Sequence, residues 1–137
     1  MKHLGLIVNP IAGMGGSVGL KGTDGVAAEA ARLGAVRRAG ERAAAALKEL
    51  LPAKDEICVL CASGEMGETI LEKLGFPHVQ VVCRCEGETT ADDTIRAARA
   101  MAGADLLLFA GGDGTARNIY EALGEKTVAI GIPAGVK

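Results

Sequence analysis

A glycine-rich turn between a buried strand and a helix constrains this chain more than any other feature of its sequence. The apolar run Asp105–Phe109 predicts the strand, and the pattern Ala116–Leu123 predicts the helix. Between them stands the turn Gly111-Gly112-Asp113-Gly114-Thr115. Because glycines let backbone N–H groups approach a ligand at the positive end of a helix dipole, this turn predicts a phosphate-binding site.

Asp113 is the unusual member of this turn, because a carboxylate among phosphate-binding amides repels the ligand. It fits if a divalent cation lies between the carboxylate and the phosphate, or if the carboxylate accepts a proton from a hydroxyl group that attacks phosphorus. The alternative is that Asp113 only caps the helix, since aspartate is a favoured N-cap residue. Asp113 is therefore either the candidate catalytic residue or a structural cap.

Strand-length apolar runs alternate with helical patterns along the whole chain. This alternation predicts an α/β fold, with a three-layer, mostly parallel sheet and right-handed crossovers. The predicted strands are Leu4–Val8, Ile57–Cys61, Val79–Cys83, Asp105–Phe109 and Thr127–Ile132. The predicted helices are Val26–Leu33, Glu41–Leu51, Glu65–Leu74, Ala91–Met101 and Ala116–Leu123.

Ligands of such sheets bind at the carboxyl ends of the strands, where we expect three segments to converge: the loop Asn9–Gly25, the turn Gly111–Thr115 and the segment Pro133–Gly135. The first loop is long, which is typical of a functional loop. It offers bare amides for oxyanions and a mobile cation, at Gly13, Gly15, Gly16 and Lys21. Its spacing is not that of a Walker A motif, and the alternative is a flexible surface loop.

Length and composition limit the classes of function. The 137 residues are enough for one domain, and 49% hydrophobic against 23% charged residues indicates a soluble, globular chain. A net charge of −2 and an aromatic content of 2% provide neither the basic surface nor the stacking platforms of nucleic-acid-binding proteins. We therefore expect no nucleic-acid partner. No apolar run approaches the ~20 residues of a membrane span, so we also expect a cytoplasmic protein without a membrane partner.

The four cysteines do not have the spacing of a metal site. Cys58 and Cys61 lie three apart in a predicted strand, so their thiols face opposite sides of the sheet and cannot share a zinc ion. Cys83 and Cys85 can share one face, but two ligands do not make a structural zinc site. We therefore predict no metal held by cysteine, and buried, reduced thiols instead.

Together these motifs resemble the superfamily of NAD kinases and diacylglycerol-type lipid kinases. The resemblance rests on Asn9-Pro10 with Gly13 and Gly15 after the first strand, and on Gly111–Thr115 after a later one. The closest resemblance is to the bacterial and archaeal ATP-NAD kinase-like, or AcoX-like, branch, and it covers essentially the whole chain. The segments that suggest this branch are 22–25, 89–94, 115–117 and 131–137.

The resemblance implies a Rossmann-like amino-terminal domain, ATP and a divalent cation such as Mg²⁺ as cofactors, and ATP and NAD as nucleotide partners. Asp113 would activate the acceptor hydroxyl, the 2′-OH of NAD. Phosphates would be held by Gly111, Gly112, Gly114 and Thr115. Asn9 would shape the first loop, and Asn118 would reach the ligand crevice at the carboxyl ends of the strands. The predicted function is ATP-dependent phosphoryl transfer.

Family members continue into a second, largely β domain that completes the acceptor pocket, and this chain ends at Lys137. We therefore expect residues 1–137 to be the amino-terminal, nucleotide-binding half. Three alternatives stay open: a non-catalytic nucleotide-binding or regulatory module, a lipid kinase of the diacylglycerol type, and an inert fragment whose exposed edge forms a homo-oligomer.

Overall fold

The structure is a computed structural model that describes residues 1–9, 39–85 and 91–133. Within these ranges, five strands form one sheet in which every neighbouring pair is parallel. The strands are β1 (Lys2–Val8), β2 (Ile57–Ala62), β3 (Val79–Cys83), β4 (Leu106–Gly111) and β5 (Ala129–Pro133). Their spatial order is β3-β2-β1-β4-β5, so the predicted α/β fold is confirmed.

Four helices flank this sheet in the described ranges. A helix whose described part covers residues 39–48 is α1, and the others are α2 (Glu68–Leu74), α3 (Ala91–Ala100) and α4 (Asp113–Leu123). Short 3-10 helices occupy Leu51–Ala53 and Gly64–Met66. The predicted helix over 26–33 lies outside the described residues.

The prediction of one continuous helix over Glu65–Leu74 is wrong. A 3-10 turn at Gly64–Met66 is separated from α2 by Gly67, whose φ of 148° is a conformation that side-chain-bearing residues rarely adopt. A Cβ atom there would lie 3.2 Å from Cβ of Cys61 and 3.3 Å from Cδ2 of Leu6. The chain therefore passes close to β1 and β2 before the regular helix begins.

Helices cover both faces of the sheet and give the three predicted layers. On one face, α1 and α2 pack against alternate residues of β1 and β2, through Ala43, Leu47 and Leu71. On the other, α3 and α4 pack against the intervening residues, through Ala97, Ala98 and Ile119. The alternation of side chains along each strand supplies both cores, as expected for a sheet that is buried on both faces.

The strand order places a topological switch point between β1 and β4. From β1 the chain proceeds to β2 and β3 on one side, and from β4 to β5 on the other. Residues that follow β1 and β4 therefore meet at the carboxyl edge of adjacent central strands, which is where ligands bind in doubly wound sheets. No helix in the described part of the chain is long and apolar enough to cross a membrane.

Candidate active site at the switch point

Asn9 and the glycine-rich turn meet at this switch point. Asn9 directly follows β1, and its backbone N–H donates to the carbonyl of Ala110 at 2.9 Å. Gly111 ends β4, Gly112 precedes α4, and Asp113 is the first helical residue. The parallel register of β1 and β4, which pairs Val8 with Ala110, thus brings two predicted site segments into contact.

A hydrogen bond between Asn9 and Thr115 joins these segments through their side chains. The Nδ2 atom of Asn9 donates to Oγ1 of Thr115 at 2.7 Å. Thr115 is only 3% exposed, because it lies in the first turn of α4 with its side chain turned toward the sheet. The contact fixes the amino-terminal end of α4 against the end of β1.

Gly111 makes room for the threonine in this contact. A Cβ atom at Gly111 would lie 2.4 Å from Oγ1, 2.7 Å from Cβ and 2.9 Å from Cγ2 of Thr115. These separations are shorter than any ordinary van der Waals contact, so a side chain here would displace the helix. The sequence motif pointed to phosphate binding at Gly111 and carried no signal for this packing role, which depends on a tertiary contact.

The amino-terminal end of α4 carries backbone donors that have no acceptor within the helix. The first intrahelical hydrogen bond runs from the N–H of Ala116 to the carbonyl of Gly112, at 3.0 Å. The amides of residues 113–115 precede that bond and have no intrahelical acceptor. The N-cap residue Gly112 has no side chain with which to cap the helix, and residues 112–114 are exposed. This end of the helix can therefore bind an anion through its amides and its dipole.

Asp113 is not the N-cap residue, so the structural-cap alternative is wrong: Gly112 occupies that position with a φ of −110° and a ψ of −156°. The Asp113 carboxylate is exposed at the entrance of the anion-binding end, and it forms no ion pair with another described residue. A carboxylate at the first helical position interacts favourably with the helix dipole. It also lies beside the amides that a phosphate would contact.

The remaining predicted site residues are only partly placed. Asn118 is half-buried, three residues after Thr115 on α4, so the two residues lie near each other along the helix. The ligand-binding roles stay predictions for Gly111, Gly112, Gly114, Thr115 and Asn118. Four of the predicted residues lie outside the described residues: Gly13, Gly15, Gly16 and Lys21.

Comparison with known families decides which superfamily this site belongs to. A family model of the ATP-NAD kinase N-terminal domain matches residues 4–137. The chain belongs to this family. Membership assigns it a kinase-like, nucleotide-binding role and confirms the resemblance seen in the motifs. No match was found among curated proteins or among solved structures.

The contribution of the described residues to a divalent-cation site is the Asp113 carboxylate. Within those residues, no group of three or more histidine, cysteine, aspartate or glutamate side chains could hold a metal ion. Mg²⁺ usually keeps several waters and is bound by one or two carboxylates together with substrate phosphates. The exposed carboxylate of Asp113, next to an anion-binding helix end, is a donor of that kind.

Proposed function

We propose that this chain binds the triphosphate of ATP at the amino-terminal end of α4 and contributes to phosphoryl transfer onto the 2′-hydroxyl of NAD. The single observation that carries the proposal is the placement of exposed amides and the Asp113 carboxylate together at the β1–β4 switch point. Family membership supports a kinase-like use of nucleotides at this site. Kinase chemistry consists mainly of positioning and electrostatic stabilisation, which such a helix end provides.

Phosphate binding would use the exposed end of α4. The amides of residues 113–115 have no intrahelical acceptors, and a Cβ atom at Gly112 or Gly114 would meet no described atom within 4 Å. The described residues therefore leave the approach to these donors open. The 2.7 Å hydrogen bond between Asn9 and Thr115 would hold this end of the helix in place.

Asp113 would accept the proton of the attacking hydroxyl group. A carboxylate is a suitable general base when it lies within hydrogen-bond reach of the proton that it removes. When bound, a divalent cation would neutralise charge on the phosphates, and Asp113 is the described residue that would help to hold it. These two roles of one carboxylate predict different behaviour when it is replaced.

The test is calorimetric titration of the chain with ATP, with and without Mg²⁺, followed by NAD and an assay of phosphoryl transfer. We compare Asp113→Asn with Glu121→Gln, which removes one charge from an exposed position near the other end of the same helix. If Asp113 is the base, Asp113→Asn keeps Mg²⁺-dependent ATP binding and loses transfer. If it holds the cation, the variant loses the Mg²⁺ dependence of binding as well.

Gly114→Ala tests the phosphate site separately from the chemistry. Side chains of a helix tilt toward its amino terminus, so the new methyl group would project toward the open amides. Losing one or two charge-assisted hydrogen bonds of roughly 1.5–3 kcal/mol each should weaken ATP binding at least about tenfold. Unchanged ATP affinity in Gly114→Ala would refute phosphate binding at this helix end, and transfer by Asp113→Asn at the wild-type rate would refute the catalytic role.

A further inference from the structure

A pair of thiols lies at the end of the edge strand β3, outside the switch point. The Sγ atoms of Cys83 and Cys85 are 3.8 Å apart. Cys83 is buried, whereas Cys85 is half-buried and reaches solvent. All four cysteines of the chain are free thiols in the structure. The two sulfur atoms are thus in van der Waals contact without being bonded.

Ser63 holds the backbone on both sides of this pair. Its N–H donates to the carbonyl of Cys83 at 2.9 Å, and its Oγ accepts from the N–H of Cys85 at 2.9 Å. Ser63 follows β2, the neighbour of β3 in the sheet. The backbone that carries the two sulfurs is therefore held at the sheet edge on both sides of the pair.

The other two cysteines lack this arrangement. Cys61 is fully buried among the residues that α1 and α2 cover, while Cys58 lies an odd number of positions earlier on β2 and so faces the other side of the sheet. They cannot approach each other without unfolding the strand. Cys58 and Cys61 therefore serve as an internal control, because they are held apart in the fold while Cys83 and Cys85 are in contact.

We propose that Cys83 and Cys85 form a reversible dithiol–disulfide site, oxidised by a low-molecular-weight disulfide. The thiolate of one cysteine attacks the disulfide, forms a mixed disulfide and releases one small thiol. The second cysteine, as thiolate, then attacks the protein sulfur of the mixed disulfide, forms the Cys83–Cys85 bond and releases the second thiol. Two protein thiols are oxidised, and one disulfide is reduced to two thiols.

The surroundings of Cys85 set the pH dependence of this exchange. Burial raises the pKa of the Cys85 thiol to about 11, with further contributions from the hydrogen bond to Cys83 and the charges of Cys83 and Asp93, against the opposing effect of Arg96. Because the thiolate is the nucleophile, attack by Cys85, whether on the added disulfide or on a mixed disulfide at Cys83, accelerates as the pH rises toward that value.

The test exposes the folded chain to oxidised glutathione at pH 7 and pH 9. Remaining thiols are alkylated in denaturant, and each cysteine-containing peptide is analysed by mass. In the wild-type protein we expect the peptide with Cys83 and Cys85 to lose the mass of two hydrogen atoms, more quickly at pH 9. The variants Cys83→Ala and Cys85→Ala should stop at the glutathione mixed disulfide on the remaining cysteine. The intramolecular second step should keep that mixed disulfide at least about tenfold scarcer in the wild type.

Two outcomes overturn the proposal. One is accumulation of the mixed disulfide in the wild type to the level seen in the single variants. The other is oxidation of Cys58 and Cys61 at the same rate as the pair, which would show that the reaction requires unfolding. Phenylarsine oxide provides a second measurement, because its arsenic binds two neighbouring thiols with loss of water: the wild type should retain it, and neither single variant should. Failure to retain it would equally refute a usable dithiol.

Discussion

Replacing Gly111 with alanine tests the packing that positions the candidate site. A methyl group at this position would lie 2.7 Å from Cβ and 2.4 Å from Oγ1 of Thr115. An ordinary contact requires about 3.4 Å, so the threonine Cβ must retreat by about 0.7 Å. Thr115 cannot do so by rotating alone, because it is β-branched within a helix and bonded to Asn9 at 2.7 Å. The first turn of α4 must move instead.

The expected cost follows from this overpacking. Extra methyl groups in a packed region cost about 1–3 kcal/mol, and the rigidity of the contact places Gly111→Ala in the upper part of that range. For a chain of this size the loss corresponds to a fall in Tm of roughly 3–5 °C per kcal/mol. Urea unfolding followed by circular dichroism measures the change in the free energy of unfolding directly.

Gly114→Ala is the matched control. It adds the same methyl group to the same turn, but no described atom lies within 4 Å of the new Cβ, and alanine favours helix over glycine. We expect its stability to equal or slightly exceed that of the wild type. If the two variants unfold within about 0.5 kcal/mol of each other, the close-contact argument is refuted. Thr115→Ala removes Oγ1 and Cγ2, two of the atoms that the new methyl group would meet. The double variant Gly111→Ala/Thr115→Ala should therefore lose less stability than the sum of the losses in the two single variants.

Three further predictions concern the strands around the site. Asn9→Ala removes the donor to the buried Thr115 hydroxyl and should cost about 1–2 kcal/mol in urea unfolding; no loss would show that the contact contributes nothing. Leu6→Ala, in the fully buried part of β1, should cost about 2–5 kcal/mol in the same assay, and a cost below this range would contradict the assigned burial. The Asp105 carboxylate accepts the backbone N–H of His3 at 2.8 Å, which lowers the pKa of Asp105 below that of the unfolded chain. The stabilisation of the fold by the Asp105 carboxylate is therefore present at neutral pH and is lost as the pH falls through the folded pKa. The Tm of the wild type should exceed that of Asp105→Asn at neutral pH, and this difference should vanish in acid.

The strands were predictable because their hydrophobic patterns are local. Each predicted strand is present, with bounds that differ by no more than two residues. The split between the 3-10 turn and α2 was not predictable, since it depends on the close approach of Gly67 to Leu6 and Cys61, which come from other parts of the chain. The strand order was equally inaccessible, because alternating strands and helices are compatible with several parallel arrangements.

For the candidate site, the position of the turn was predictable from the sequence, but the different roles of its residues were not. The motif made every glycine a phosphate-binding candidate, and the contact between Asn9 and Thr115 joins residues that are distant in the chain. The pairing of Cys83 and Cys85 on one face was foreseeable from their spacing. Their contact distance of 3.8 Å was not, because it depends on side-chain conformation and on the backbone that Ser63 holds at the sheet edge.

The three glycines of the turn differ in what the fold requires of them. None has a positive φ, so backbone conformation does not demand glycine at any of the three. At Gly111 the packing of Thr115 demands it. At Gly112 and Gly114 no described atom would contact a side chain. Gly112 is the N-cap residue, a position that accepts glycine readily, whereas Gly114 lies inside α4, where glycine costs up to about 1 kcal/mol relative to alanine. The described part of the fold therefore provides no reason for Gly114, and the proposed phosphate site would provide one. Gly111→Ala therefore tests the packing of the site, and Gly114→Ala tests the proposed binding of its ligand.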